Sequence, residues 1–138
     1  MSAARGAIGA IGANGRCGSR AAGRHPSVVP LHGDIHHDNV LHDAKRGWLA
    51  VDAKGLLGER TFDYTNIFCN PDSASATATG VFERRLGIVA EEANVDRHRL
   101  LRWVLAYAGL SAVWCMEDGD GVDLRLAIVE IAARELAA

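Results

Sequence analysis

His32-Gly33-Asp34-Ile35-His36-His37-Asp38-Asn39-Val40-Leu41, followed by Trp48-Leu49-Ala50-Val51-Asp52, is the stretch on which the reading of this chain turns. Asn39-Val40-Leu41 and Trp48-Leu49-Ala50-Val51 read as two short strands. Between them, His42-Asp43-Ala44-Lys45-Arg46-Gly47 is a polar turn closed by glycine, the pattern of a β-hairpin. Asp34 and Asn39 then precede the first strand, and Asp52 follows the second. A hairpin draws those ends together, so a carboxylate, a carboxamide and a second carboxylate meet at one edge. Each alone has a plain reading, as a turn-capping Asp, a turn Asn and a helix-capping Asp. Together they form a sparse oxygen donor set of the kind Mg²⁺ uses, because that ion takes one or two carboxylates and completes its shell with phosphate oxygens and water.

The order H-G-D-x-x-x-x-N and then D parallels the kinase pattern H-R-D-x-x-x-x-N with its later D-F-G, with Gly33 where Arg stands and Asp52-Ala53-Lys54-Gly55 after the second strand. The run from Leu31 through Leu41 resembles the catalytic loop of the aminoglycoside phosphotransferases. Three further stretches are similar to the streptomycin 6-kinase and hydroxyurea phosphotransferase branch of that family. They are Gly47-Trp48-Leu49-Ala50-Val51-Asp52-Ala53-Lys54-Gly55-Leu56-Leu57-Gly58-Glu59-Arg60-Thr61-Phe62-Asp63-Tyr64, Asn66-Ile67-Phe68-Cys69-Asn70-Pro71 and Leu105-Ala106-Tyr107-Ala108-Gly109-Leu110-Ser111-Ala112. The resemblance implies transfer of the ATP γ-phosphoryl group to an alcohol of an aminoglycoside such as streptomycin, an antibiotic-resistance activity, with ATP as co-substrate and Mg²⁺ as cofactor. At the matched positions Asp34 is the catalytic base, and Asn39 and Asp52 hold the metal and, through it, the nucleotide. His32 orients the loop. Asp63 accepts backbone N–H bonds and steadies the active-site loops, an interaction close to that of an ordinary helix N-cap. Lys54 reads as a solvated loop lysine.

The glycine-rich phosphate cover and the strand lysine that complete a kinase find no match in this sequence. Residues 1–27 are rich in Ala, Gly and Arg and almost devoid of large apolar side chains, and so are expected to be disordered. Gly6, Gly9, Gly12 and Gly15 fit neither a dinucleotide nor a Walker spacing. Residues 28–138 are expected to form a partial, kinase-like C-terminal lobe of α+β class, mostly helical, with a small β-hairpin and three or more helices. Such a chain would be weak or inactive alone and prone to self-association through an exposed lobe face. A non-catalytic binding or interaction remnant of such an enzyme is the alternative.

The helices follow from periodicity. Val81, Phe82, Leu86, Val89 and Ala93 define one apolar face. Asp96 caps the next helix, with Leu100, Leu101, Val104, Leu105, Ala108 and Val113 as its buried stripe and Gly119 and Gly121 as its breakers. Leu124, Ala127, Ile128, Ile131 and Leu136 face inward from the last. Trp103, Tyr107 and Trp114 read as core. Glu117, Asp118, Asp120 and Asp123 form an acidic interhelical turn, and the resemblance makes Glu117, Asp118 and Asp120 candidates for the cationic antibiotic, since guanidinium groups pair bidentately with carboxylates. A calcium loop would need Gly at Asp123 and Glu at Val129.

The 138 residues carry a net charge of −2, which argues against a general nucleic-acid binder. No apolar run approaches the ~20 residues of a membrane span, so no membrane partner is expected. Cys17, Cys69 and Cys115 are odd in number and without a C-x-x-C pair, the usage of a reducing, cytoplasmic setting. His32, His36 and His37 crowd near acids, but H-x-x-x-H-H is not the H-E-x-x-H helix of a zinc hydrolase.

Overall fold

In the computed structural model, the chain is described over residues 28–138; the disorder expected of residues 1–27 lies outside the described residues. Two antiparallel pairs of short strands come first. β1 (Val28–Leu31) pairs with β4 (Leu56–Glu59), Val28 facing Glu59 and Leu31 facing Leu56. Nested between them in sequence, β2 (Val40–Asp43) and β3 (Gly47–Ala50) form the hairpin read from the sequence, with Val40 opposite Ala50 and Asp43 opposite Gly47. The turn is braced by Asp43, whose Oδ1 accepts from the backbone N–H groups of Lys45 and Arg46 at 2.9 and 2.7 Å.

Two 3-10 turns, Arg60–Tyr64 and Asn66–Cys69, lead from β4 into the helices. These are α1 (Ser73–Thr77), α2 (Val81–Ala93), α3 (Arg97–Asp118) and α4 (Asp123–Ala137). The Asp72 side chain accepts from Ser75 N at the start of α1, and Asp96 accepts from Arg99 N at the start of α3, so each supplies a partner to an otherwise orphaned helical N–H. Gly119 closes α3 in the left-handed conformation at φ +77°. The class is α+β, mostly helical, and the hairpin and the three longer helices stand where periodicity puts them.

The core gathers Leu86 and Val89 of α2, Leu100, Leu101, Val104 and Ala108 of α3, and Leu124, Ile128 and Ala132 of α4 around Tyr64 and Phe68. Burying each larger aliphatic side chain contributes roughly 1.5–3 kcal/mol. Two sequence readings are corrected. Val113 is 49% exposed, because nine residues at about 100° each carry it half a turn from Val104. Trp114 is 47% exposed, since the buried positions of α3 end at Ala112. β4 and α1 were not read from the sequence, and the Val28–Leu31 segment, read as a lead-in, is a paired strand. No helix of the described residues is long and apolar enough to cross a membrane.

Candidate active site

Between β1 and β2 the chain makes a loop whose start is held from both sides. Gly33 takes φ +85°, a conformation that L side chains rarely adopt, and a Cβ there would lie 2.9 Å from Leu56 Cδ1. Asp63, buried in the turn after β4, receives the loop: its Oδ2 accepts from His32 N at 2.9 Å and its Oδ1 from Gly33 N at 2.7 Å. Ile35, 1% exposed, anchors the other side of Asp34 in the interior.

His32 ties the loop to the segment carrying Asp52. Its Nε2 lies 2.7 Å from Val51 O, and a carbonyl only accepts, so Nε2 carries the proton. Nδ1 is then the acceptor for Asp34 N–H at 3.3 Å. Lys54 N donates to His32 O at 2.7 Å, a second strap between the same segments.

Asp34, Asn39 and Asp52 come to one edge through this bracing. Asn39 Nδ2 donates to Asp34 O at 2.9 Å and more loosely to Asp34 Oδ2 at 3.3 Å. That use of the amide NH₂ leaves Asn39 Oδ1, among the described residues, as an available acceptor. Asn39 O accepts from Val51 N at 2.9 Å, which continues the β2–β3 ladder and sets Asp52 beside it. Asp52 adopts φ 58°, a left-handed backbone that costs a non-glycine residue about 1–2 kcal/mol. The donor chemistry fits a hard divalent cation, which takes a carboxamide oxygen and an exposed carboxylate and completes its shell with water and phosphate oxygens.

Two residues that sequence reasoning did not assign to the site belong to it. Asn66 Nδ2 donates to Asp34 Oδ1 at 2.8 Å, and Asn70 Nδ2 donates to Asn66 Oδ1 at 3.0 Å, which fixes the amide so that its NH₂ faces Asp34. Arg85 Nη1 holds Asn70 O at 2.6 Å, so the chain of contacts reaches into α2. Lys54 is exposed in its loop, as read from the sequence, and also places Nζ 2.6 Å from Asp52 Oδ2 and 3.7 Å from Asp34 Oδ2. The hydrogen bond and charge of Lys54 hold the Asp52 carboxyl below the usual carboxylate range, and the Asp52 bond holds the Lys54 ammonium above its own. The only sequence signal for either was its place in the D-A-K-G and N-I-F-C-N-P runs.

The remaining candidates fall elsewhere. Glu117, Asp118 and Asp120 are exposed at the end of α3 and beyond it. His36, His37 and Asp38 can each offer a ligand atom within 4.8 Å of the others, but His32 is not among them, and His37 and Asp38 are open to solvent. His36 instead leans on the site, with Nε2 3.7 Å from Asp34 Oδ1.

Residues 23–119 match the sequence model of a family described as aminoglycoside/hydroxyurea antibiotic resistance kinase. A streptomycin 3''-kinase of Klebsiella pneumoniae is 52% identical over 106 residues, covering 73% of this chain and 40% of that protein. A streptomycin 6-kinase of Streptomyces griseus is 34% identical over 97 residues, which is 68% of this chain and 32% of the relative. A hydroxyurea phosphotransferase of Kitasatospora aureofaciens is 30% identical over 90 residues, 65% of this chain and 25% of the relative. The chain thus spans well under half the length of these curated relatives. No solved structure matches.

Proposed function

This chain belongs to the aminoglycoside/hydroxyurea antibiotic resistance kinase family, and from that premise we propose that it carries the base-and-metal half of a phosphotransferase site within a kinase-like C-terminal lobe. Mg-ATP supplies the transferable γ-phosphoryl group and the electrophilic assistance of the metal. Asp34 is the base: its carboxylate is held by Asn66 and Asn39 and accepts the proton of an acceptor hydroxyl as the phosphoryl group leaves ATP. Asn39 Oδ1 and the Asp52 carboxylate are the metal-holding oxygens, and Asp63 and His32 keep the two loops in register. The acceptor we infer is an alcohol of an aminoglycoside such as streptomycin, the substrate in the names of two of the relatives. Glu117, Asp118 and Asp120 are proposed as an outer surface for the cationic antibiotic, and the cytoplasm is the proposed setting.

The observation that carries this reading is the convergence of Asp34, Asn39 and Asp52, whose backbones are strapped together by the Val51–Asn39 and Lys54–His32 hydrogen bonds. Exposed Val28 and Leu57 stand on one face of the β1–β4 pair, and we propose that the chain covers this apolar surface by self-association. Purified chain should sediment as more than a monomer, and with Mg-ATP and streptomycin it should form little phosphorylated product. Strong turnover that disappears in Asp34→Ala would overturn the inactivity while supporting the chemistry. A monomer at micromolar concentration would remove the self-association.

A further inference from the structure

We propose that Lys54 is a built-in counter-cation of the site, one that pairs with Asp52 Oδ2 and competes electrostatically with a divalent ion. The proposal rests on the reading of Asp52 and Asn39 as metal-holding residues and adds a competitor to it.

Lys54 Nζ sits 2.6 Å from Asp52 Oδ2 and 3.7 Å from Asp34 Oδ2, between the two acids of the site. Its backbone is fixed, because Lys54 N donates to His32 O at 2.7 Å. Its stem also runs close to Gly33, where an added Cβ would lie 3.3 Å from Lys54 Cβ. The side chain starts from a set place, yet at 48% exposed its head can leave into water. Among the described residues, Asp52 makes its ion pair with Lys54, which outweighs the smaller electrostatic pull of His32 and His36.

An ammonium and a divalent ion held by one carboxylate repel each other across a few ångströms. With Lys54 in place, the two acids are already partly neutralised, and like-charge repulsion opposes the incoming metal. Moving the ammonium away restores the full negative charge of Asp52 beside the Oδ1 of Asn39. Removing the charge at position 54 should therefore tighten metal binding, while a cation of different shape at the same position should preserve the competition.

The test is a titration of the whole chain with Mn²⁺, read by paramagnetic broadening of backbone amide signals, in wild type, Lys54→Gln, Lys54→Arg and Asp52→Ala. Localised broadening around Asn39 and Asp52 should saturate in Lys54→Gln at about fivefold lower Mn²⁺ than in wild type, the ceiling for one exposed ion pair. Lys54→Arg should stay near wild type, and Asp52→Ala should lose the localised broadening. Equal or weaker binding in Lys54→Gln, with the Asp52→Ala loss intact, overturns the competition and leaves the metal reading standing. Broadening that survives Asp52→Ala overturns both.

Discussion

At Gly33 the backbone does something no other residue type does cheaply. Its φ of +85° turns the chain so that the N–H groups of His32 and Gly33 both meet Asp63, and Leu56 fills the space a side chain would need. Gly33→Ala should cost about 1–3 kcal/mol of stability. Gly47→Ala, at φ +76° with nothing within 4 Å, should cost less, about 1 kcal/mol. Urea unfolding of the two variants gives the comparison, and equal losses would show that the close approach to Leu56 does not matter. Gly33, Asp34, Asn39 and Asp52 were legible because their chemistry lies in one short run of sequence. Asn66 and Lys54 were not assigned. Asn66 meets Asp34 from 32 positions away, and the two contacts of Lys54 depend on a left-handed Asp52 that sequence does not announce.

The elements are joined by contacts that lie still farther apart in sequence. Glu59, at the end of β4, accepts from Arg99 Nη2 at 2.8 Å and from Trp103 Nε1 at 2.6 Å on α3, and from Thr61 Oγ1 at 2.7 Å. Phe62 packs edge-on against Trp103 and Tyr107, with ring centroids 5.9 and 5.8 Å away, so strand, turn and helix form one joint beneath Asp63. The Arg99 bond holds the Glu59 carboxyl below its ordinary value against the opposing effect of burial. A carboxyl depressed in the folded state stabilises the fold above its unfolded value of 4.5, and that stability is lost as pH falls through the lower folded value. Glu59→Gln should therefore be less stable than wild type at neutral pH by about 1–3 kcal/mol. The gap should shrink as pH falls below 4.5 and through the lower folded value. A gap that persists unchanged in acid would mean that the carboxylate charge is not what binds β4 to α3. Helices α2, α3 and α4 were readable from apolar periodicity and from Asp96 and Gly119 at the ends of α3. β4 was not, because Leu56-Leu57-Gly58-Glu59 has no alternation and becomes a strand only by pairing with β1.

The described residues make a helical body with a real core at one end and a strand-built edge carrying the site at the other. The core explains the fold. The proposed site gathers Asp34, Asn39, Asp52, Asn66 and Lys54, while the matched relatives are more than twice as long as the segment they share with this chain. Family membership was legible from the sequence because its motifs are local and specific. The Lys54–Asp52 ion pair and the bracing through Glu59 were not, because both are properties of three-dimensional contact. The central claim is that this segment is a working base-and-metal half. The most direct measurement places residues 28–119 in the matching segment of the Klebsiella pneumoniae streptomycin 3''-kinase and follows Mg-ATP-dependent phosphorylation of streptomycin. The account predicts product from the folded chimera and a fall of about 10²–10⁴-fold in its Asp34→Asn form. A folded chimera without activity, or one indifferent to Asp34→Asn, would contradict it.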